Sequence, residues 1–177
     1  MGRLIEKKGL MLLIDIFKTI DKNENLHLSI YGCGPLENEI KSEIKSNCLE
    51  SMITVMGKVE YTKIIDAYKE ADIFIMPSLR ETSGNVLIEA LASKIPVIAL
   101  NMSFASKLNE LDCGKFINFN QSKGKIIDDF AKAIIELKND KKERKRLAQN
   151  GYNFVNHELT WDNKFDTIYN NLVDKQK

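Results

Sequence analysis

The chain has 177 residues, 44% of them hydrophobic and 29% charged, with a formal net charge of +1. That balance describes an ordinary globular domain, or one half of a larger enzyme, and excludes a low-complexity chain. A near-neutral surface carries no demand for nucleic acid as a partner. Three isolated cysteines (Cys33, Cys48, Cys113) and two lone histidines (His27, His157) provide neither a disulfide framework nor a zinc site, so small buried thiols are expected. With no apolar run near the roughly 20 residues of a membrane span, and no signal peptide ahead of Gly2, the expected location is cytoplasmic.

The first helical pattern carries Leu10, Leu12, Leu13, Ile16 and Phe17 and follows directly on Gly2-Arg3-Leu4. A parallel α/β unit places a strand before such a turn, so a missing first strand is expected. A strand follows at 26–31, then Gly32-Cys33-Gly34-Pro35 turns into a polar helix to about residue 47. A second strand covers 52–56. Ile64, Ile65, Ala67 and Tyr68 mark an amphipathic helix leading to a strand at 72–76. A helix over about 84–93, a strand at 96–100 and a last strand at 115–119 follow. Helical patterns over 124–138, 141–156 and 160–174 complete the chain. Continuous apolar strands alternating with helices predict an α/β fold, a Rossmann-like parallel sheet with helices on both faces. Ligands of such sheets bind beyond the C-terminal strand ends.

The most telling stretch lies at one of those ends, Glu81-Thr82-Ser83-Gly84-Asn85-Val86-Leu87-Ile88-Glu89. Gly84 is expected near the helix start, where the amides of Gly84 to Val86 lack intrahelical carbonyls and the helix dipole favours a diphosphate. Asn85 and Glu89 share a face, and the lean of helical side chains carries Glu89 back toward the crevice. A carboxylate accepts hydrogen bonds only, which suits a pair of ribose hydroxyls. From spacing alone, a helix-capping Glu81 and a solvated Glu89 stay equally open.

Residues 71–81, then Gly84, Glu89-Ala90-Leu91-Ala92 and Ile95-Pro96-Val97-Ile98-Ala99, resemble the donor-site signature of family 4 glycosyltransferases. Gly2-Arg3-Leu4 with Lys8-Gly9, the run 28–35, and Val55-Met56-Gly57-Lys58-Val59 resemble three further signatures, in the same order. The resemblance implies the C-terminal half of a GT-B fold, as a single donor-binding domain over 1–177, its N-terminal acceptor domain absent. It implies a retaining transfer from a nucleotide-diphosphate-sugar of UDP or GDP type, without a metal or other cofactor. On this sequence Arg3 and Lys8 would bind the diphosphate, Glu81 the donor sugar and Glu89 the ribose, with Gly84, Asn85 and Val86 completing the cradle. Gly32 and Gly34 would lie near the base, and Ser103 and Phe104 near the sugar. The implied acceptor is a glycan or lipid-linked sugar in cell-surface polysaccharide synthesis, with a separate acceptor-domain chain as a further partner.

The sequence departs from the pattern at Lys94, where a glycine is usual, and in the loop 101–110, which lacks the usual glycines and so leaves the donor sugar open. Gly32-Cys33-Gly34-Pro35-Leu36-Glu37 lacks the third glycine of a dinucleotide fingerprint and reads as a turn. The basic cluster Lys138, Lys141, Lys142, Arg144, Lys145 and Arg146 reads as a solvated helix face, with peripheral contact at the inner membrane face as the alternative. Trp161, Phe165, Ile168, Tyr169 and Leu172 recur at helical spacing and read as packing. Other readings are a non-catalytic nucleotide-sugar-binding partner subunit, a different GT-B enzyme such as an epimerase, and an inactive truncated fragment.

Overall fold

The computed structural model describes residues 1–80, 84–102 and 104–159. A short 3-10 turn, Glu6–Lys8, precedes helix α1 (Leu10–Thr19). Strand β1 (Leu28–Tyr31), α2 (Glu37–Ser46), β2 (Ile53–Gly57) and α3 (Tyr61–Glu70) follow. Next come β3 (Phe74–Met76), α4 (Asn85–Ala92), β4 (Val97–Leu100), α5 (Phe104–Glu110) and β5 (Gly114–Ile117). Two long helices, α6 (Lys123–Asn139) and α7 (Lys141–Glu158), end the described chain. The helical pattern 160–174, with its aromatic stripe, lies outside the described residues.

The strands form two parallel sheets, β1–β2 and β3–β4–β5. Leu28 pairs with Ile53 in the first, while Phe74 pairs with Val97 and Val97 with Gly114 in the second. All four residues of β4 are buried, because both faces of the sheet are covered. Ile98 and Leu100 point into one apolar cluster with Ile14, Ile16, Ile30, Ile40 and Phe130. Val97 and Ala99 point into the other, with Leu87, Leu91, Leu108 and Tyr68. Alternation along one strand thus separates an α1/α2/α6 layer from an α3/α4/α5/α7 layer.

Two expectations need correction, and the departure at Lys94 leaves the helix end intact. Residues 104–110 form a helix, α5, where a loop was expected; Ala105 and Leu108 are its buried contacts, too few to show a helical period in so short a segment. Cys33 and Cys48 are exposed and only Cys113 is buried. Cys33 sits on the β1–α2 connection and Cys48 at a positive-φ turn after α2, where neither can reach a core. Lys94 still closes α4 tightly, at φ 58°. Its N–H donates to the Leu91 carbonyl and that of Ile95 to the Ala90 carbonyl, both at 3.0 Å, which is a Schellman closure normally given to glycine.

Candidate functional site

The site begins at the N-terminus of α4. Gly84 caps the helix in the left-handed region, at φ 65° and ψ 11°. A β-carbon on it would lie 2.4 Å from Cδ1 of Phe104, so both backbone conformation and space require glycine here. The first helical donors are the N–H groups of Leu87 and Ile88, which reach the Gly84 carbonyl at 2.9 and 3.1 Å. The amides of Asn85 and Val86 therefore precede the intrahelical ladder, as the sequence implied. Asn85 is exposed, while Leu87, Ala90 and Leu91 face the core.

One turn further in, Glu89 is half-buried and held from α3. The Tyr68 hydroxyl donates to Glu89 Oε2 at 2.9 Å and lies 3.5 Å from the Val86 carbonyl. Burial first, then the neighbouring Glu89 carboxylate, raises the phenol's pKa well beyond its ordinary range, so Tyr68 remains a donor at any working pH. Glu89 is thus a positioned carboxylate, not a solvated surface group. The Met1 amine is buried close by. Burial and the charge of Lys8 push it down to about 6, while Glu89 pulls the other way. Lys8 and Glu89 therefore both act on one buried point.

The N-terminal segment brings Arg3 and Lys8 to the same end of the strands. The N–H groups of Gly2 and Leu4 donate to the carbonyls of Tyr31 and Cys33, each at 3.0 Å, with exposed Arg3 between them. Gly34 packs on Leu4, and the backbone of Gly32 lies against that of Gly2. These two glycines make close backbone approach possible, and residues 2–4 occupy the space a side chain would fill. The turn carrying Lys8 packs on the loop after β3, where the Leu79 N–H donates to the Lys7 carbonyl at 2.9 Å.

The structure thus gathers Arg3, Lys8, Gly84, Asn85, Val86, Glu89 and Phe104 around the C-terminal ends of β1, β3 and β4. Glu81 and Ser103 lie outside the described residues. One residue that holds this arrangement, Tyr68, escaped the sequence reading. Tyr68 looked like one more apolar contact of an amphipathic helix, and its hydroxyl was the only hint of a further role. Asn101, directly after β4, carries a buried side-chain oxygen with no hydrogen-bond partner among the described residues. Cys113 is remote from this chemistry; burial pushes its thiol up to about 11, and it donates to the Leu108 carbonyl at 3.2 Å.

The basic cluster is largely engaged within the chain. Arg144 donates to the carbonyls of Leu137 and Lys138, both at 2.6 Å, closing the end of α6. Arg146 pairs with Glu143 and Asp112, and Lys138 with Glu24. Lys141, Lys142 and Lys145 are exposed. No group of three or more His, Cys, Asp and Glu side chains among the described residues is placed to hold a metal ion. No helix among them is long and apolar enough to cross a membrane.

The family model for glycosyl transferases group 1 matches residues 1–154. A capsular polysaccharide biosynthesis glycosyltransferase of Staphylococcus aureus, CapM, is 29% identical, with 97% of this chain and 45% of that protein aligned. Among solved structures, S. aureus TarM, crystallised with UDP among its ligands, superposes with a TM-score of 0.82 at 23% identity. That match covers 96% of this chain and 34% of TarM. The C-terminal domain of a group 1 protein from Francisella tularensis, LpcC, gives 0.76 at 23% identity, covering 91% of this chain and 84% of that one. The chain spans less than half the length of the curated relatives it matches.

Proposed function

The chain belongs to the glycosyl transferases group 1 family, and from that premise we propose that it is the donor-binding half of a retaining glycosyltransferase. The observation that carries this reading is the half-buried Glu89, fixed by Tyr68 at 2.9 Å one turn inside a helix whose first amides have no hydrogen-bond partner among the described residues. A nucleoside diphosphate meets both needs of that geometry. Its ribose hydroxyls donate to the Glu89 carboxylate, and its phosphates accept from the amides of Asn85 and Val86. Lys8 and Arg3 supply positive charge, Lys8 as a compact point and Arg3 as a rigid fork. Departure of the diphosphate builds negative charge, which these cations and the α4 amides stabilise in place of a metal ion. Glu81 then contacts the donor sugar. CapM's role in capsular polysaccharide synthesis and the UDP bound by TarM favour a UDP-sugar donor and a cell-surface glycan or lipid-linked acceptor.

Calorimetric titration with UDP, GDP and their sugar conjugates tests the reading. One nucleotide is expected to bind, in EDTA as in its absence, and Glu89→Ala and Arg3→Ala each weaken it at least about tenfold, since a charge-assisted contact contributes roughly 1.5–3 kcal/mol. Binding that neither substitution changes would overturn the site. Sugar transfer is expected only when an acceptor-binding half is added; turnover by the purified 177-residue chain would contradict the assignment as a half-enzyme.

A further inference from the structure

Tyr61 and Tyr68 stand on one stripe of α3. They are two helical turns apart, so their side chains leave the helix in nearly the same direction. Their surroundings differ. Tyr68 is 5% exposed and holds Glu89, whereas Tyr61 is 71% exposed, the highest value among the exposed large hydrophobic side chains of the described residues.

The stripe climbs from the Glu89 carboxylate to the mouth of the crevice. At 1.5 Å per residue, Tyr61 stands about 10 Å nearer the C-terminal ends of the strands than Tyr68. Residues 58–60 join it directly to the end of β2. There the Gly32 N–H donates to the Gly57 carbonyl at 2.8 Å, which ties the end of β2 to that of β1. The space beside Gly57 is open, since a β-carbon on it would meet nothing within 4 Å. The Tyr61 phenol is near enough to Tyr68 to add to the upward pull on its pKa, behind burial and Glu89.

We propose that Tyr61 is the stacking platform for the uracil of a bound UDP-sugar. The inference rests on the donor-site reading above and adds to it the residue that meets the aromatic end of the ligand. The base hangs from the ribose carbon next to the one bearing the 2′-hydroxyl, so a ribose held by Glu89 keeps its base close to that carboxylate. The 5′ oxygen leads the diphosphate the other way, to the α4 amides, Arg3 and Lys8. The base is thereby directed to the α3 side, where Tyr68 fixes Glu89 and Tyr61 stands beyond it. Gly32 and Gly34 offer no side chain, and the backbones of Gly2 and Leu4 pack against them. An exposed phenol ring supplies the missing surface. Stacking needs a π-face and no particular hydrogen-bonding edge, so Tyr61 contributes affinity for a planar base whatever groups read its edge.

The test compares UDP with 5,6-dihydro-UDP. That analogue keeps the ribose, the diphosphate and every hydrogen-bonding group of the uracil, and loses only the planar aromatic ring. In calorimetry on the 177-residue chain, UDP is expected to bind roughly five- to 100-fold more tightly than the dihydro analogue. Tyr61→Ala is expected to weaken UDP by a similar factor and to erase the preference, while Tyr61→Phe keeps both. Glu89→Ala weakens both ligands alike and preserves the preference. Thermal melts of the Tyr61 variants are expected to coincide with that of the unaltered chain, because so little of the ring is buried. Equal affinity of the unaltered chain for the two ligands would overturn the proposal. So would UDP binding that Glu89→Ala weakens and Tyr61→Ala does not, which leaves the donor site standing and places the base elsewhere. UDP binding that Glu89→Ala leaves unchanged would overturn the donor-site reading and this inference together.

Discussion

Two residues carry more than their sequence context announces. Tyr68 is 5% exposed, and its hydroxyl serves Glu89. Replacing it with phenylalanine keeps the ring that packs 6.0 Å from Phe74 and deletes only the hydroxyl. Tyr68→Phe is therefore expected to leave the fold intact and to weaken nucleotide binding about three- to tenfold, because Glu89 loses the bond that orients it. Calorimetry beside a thermal melt separates the two effects, and an equal loss of stability and affinity would make Tyr68 a core residue only. Lys94 is the second. A side chain in the left-handed region costs about 1–2 kcal/mol relative to glycine, partly offset here by the Lys94 ammonium 4.3 Å from the centre of the Tyr152 ring. In a Tyr152→Leu background that compensation is gone. Lys94→Gly is then expected to raise stability by about 1 kcal/mol in a urea titration, and no gain would mean that the Schellman closure carries no strain.

At the scale of elements, helix ends rest on single side chains. Asp140 closes α6 and opens α7, and its carboxylate accepts the Glu143 N–H at 2.8 Å. Asp140→Ala is expected to cost about 1 kcal/mol, while Ser122→Ala at the start of α6, where the contact is a longer 3.3 Å, costs less. Denaturant midpoints of the two variants check the order. Most elements were legible because their apolar residues keep a clear period. The run 96–100 reads as a buried strand and β4 is buried throughout; the helical spacing of Leu10, Leu13, Ile16 and Phe17 marks α1, and all four are buried. The helix start at Gly84 was legible for a different reason, since a glycine between a strand and an apolar helix admits few backbone paths. α5 was not, because seven residues with two buried contacts have no measurable period. The Tyr68–Glu89 bond was not either: it joins residues 21 apart, and only the packing of α3 on α4 brings them together.

For the whole molecule, the divided sheet sets how stability is distributed. No strand pairing links β1–β2 to β3–β5 among the described residues, so the halves are joined mainly through packing between layers. α6 is the principal bridge. It packs on α1 at one side and on β4 and β5 at the other, with Phe130 fully buried in the cluster that also holds Ile30 and Ile98. A Phe130→Ala cavity costs about 3–5 kcal/mol, a large share of the roughly 5–15 kcal/mol that holds a domain folded. Its effect should be uneven. β4 keeps hydrogen-bonded neighbours on both edges and a second apolar cluster on its other face, whereas β1 pairs with β2 alone. In native-state hydrogen exchange, Phe130→Ala is expected to expose the amides of β1 and β2 at a lower opening free energy than those of β4. Equal losses at β1 and β4 would instead mean that the two sheets unfold as one unit.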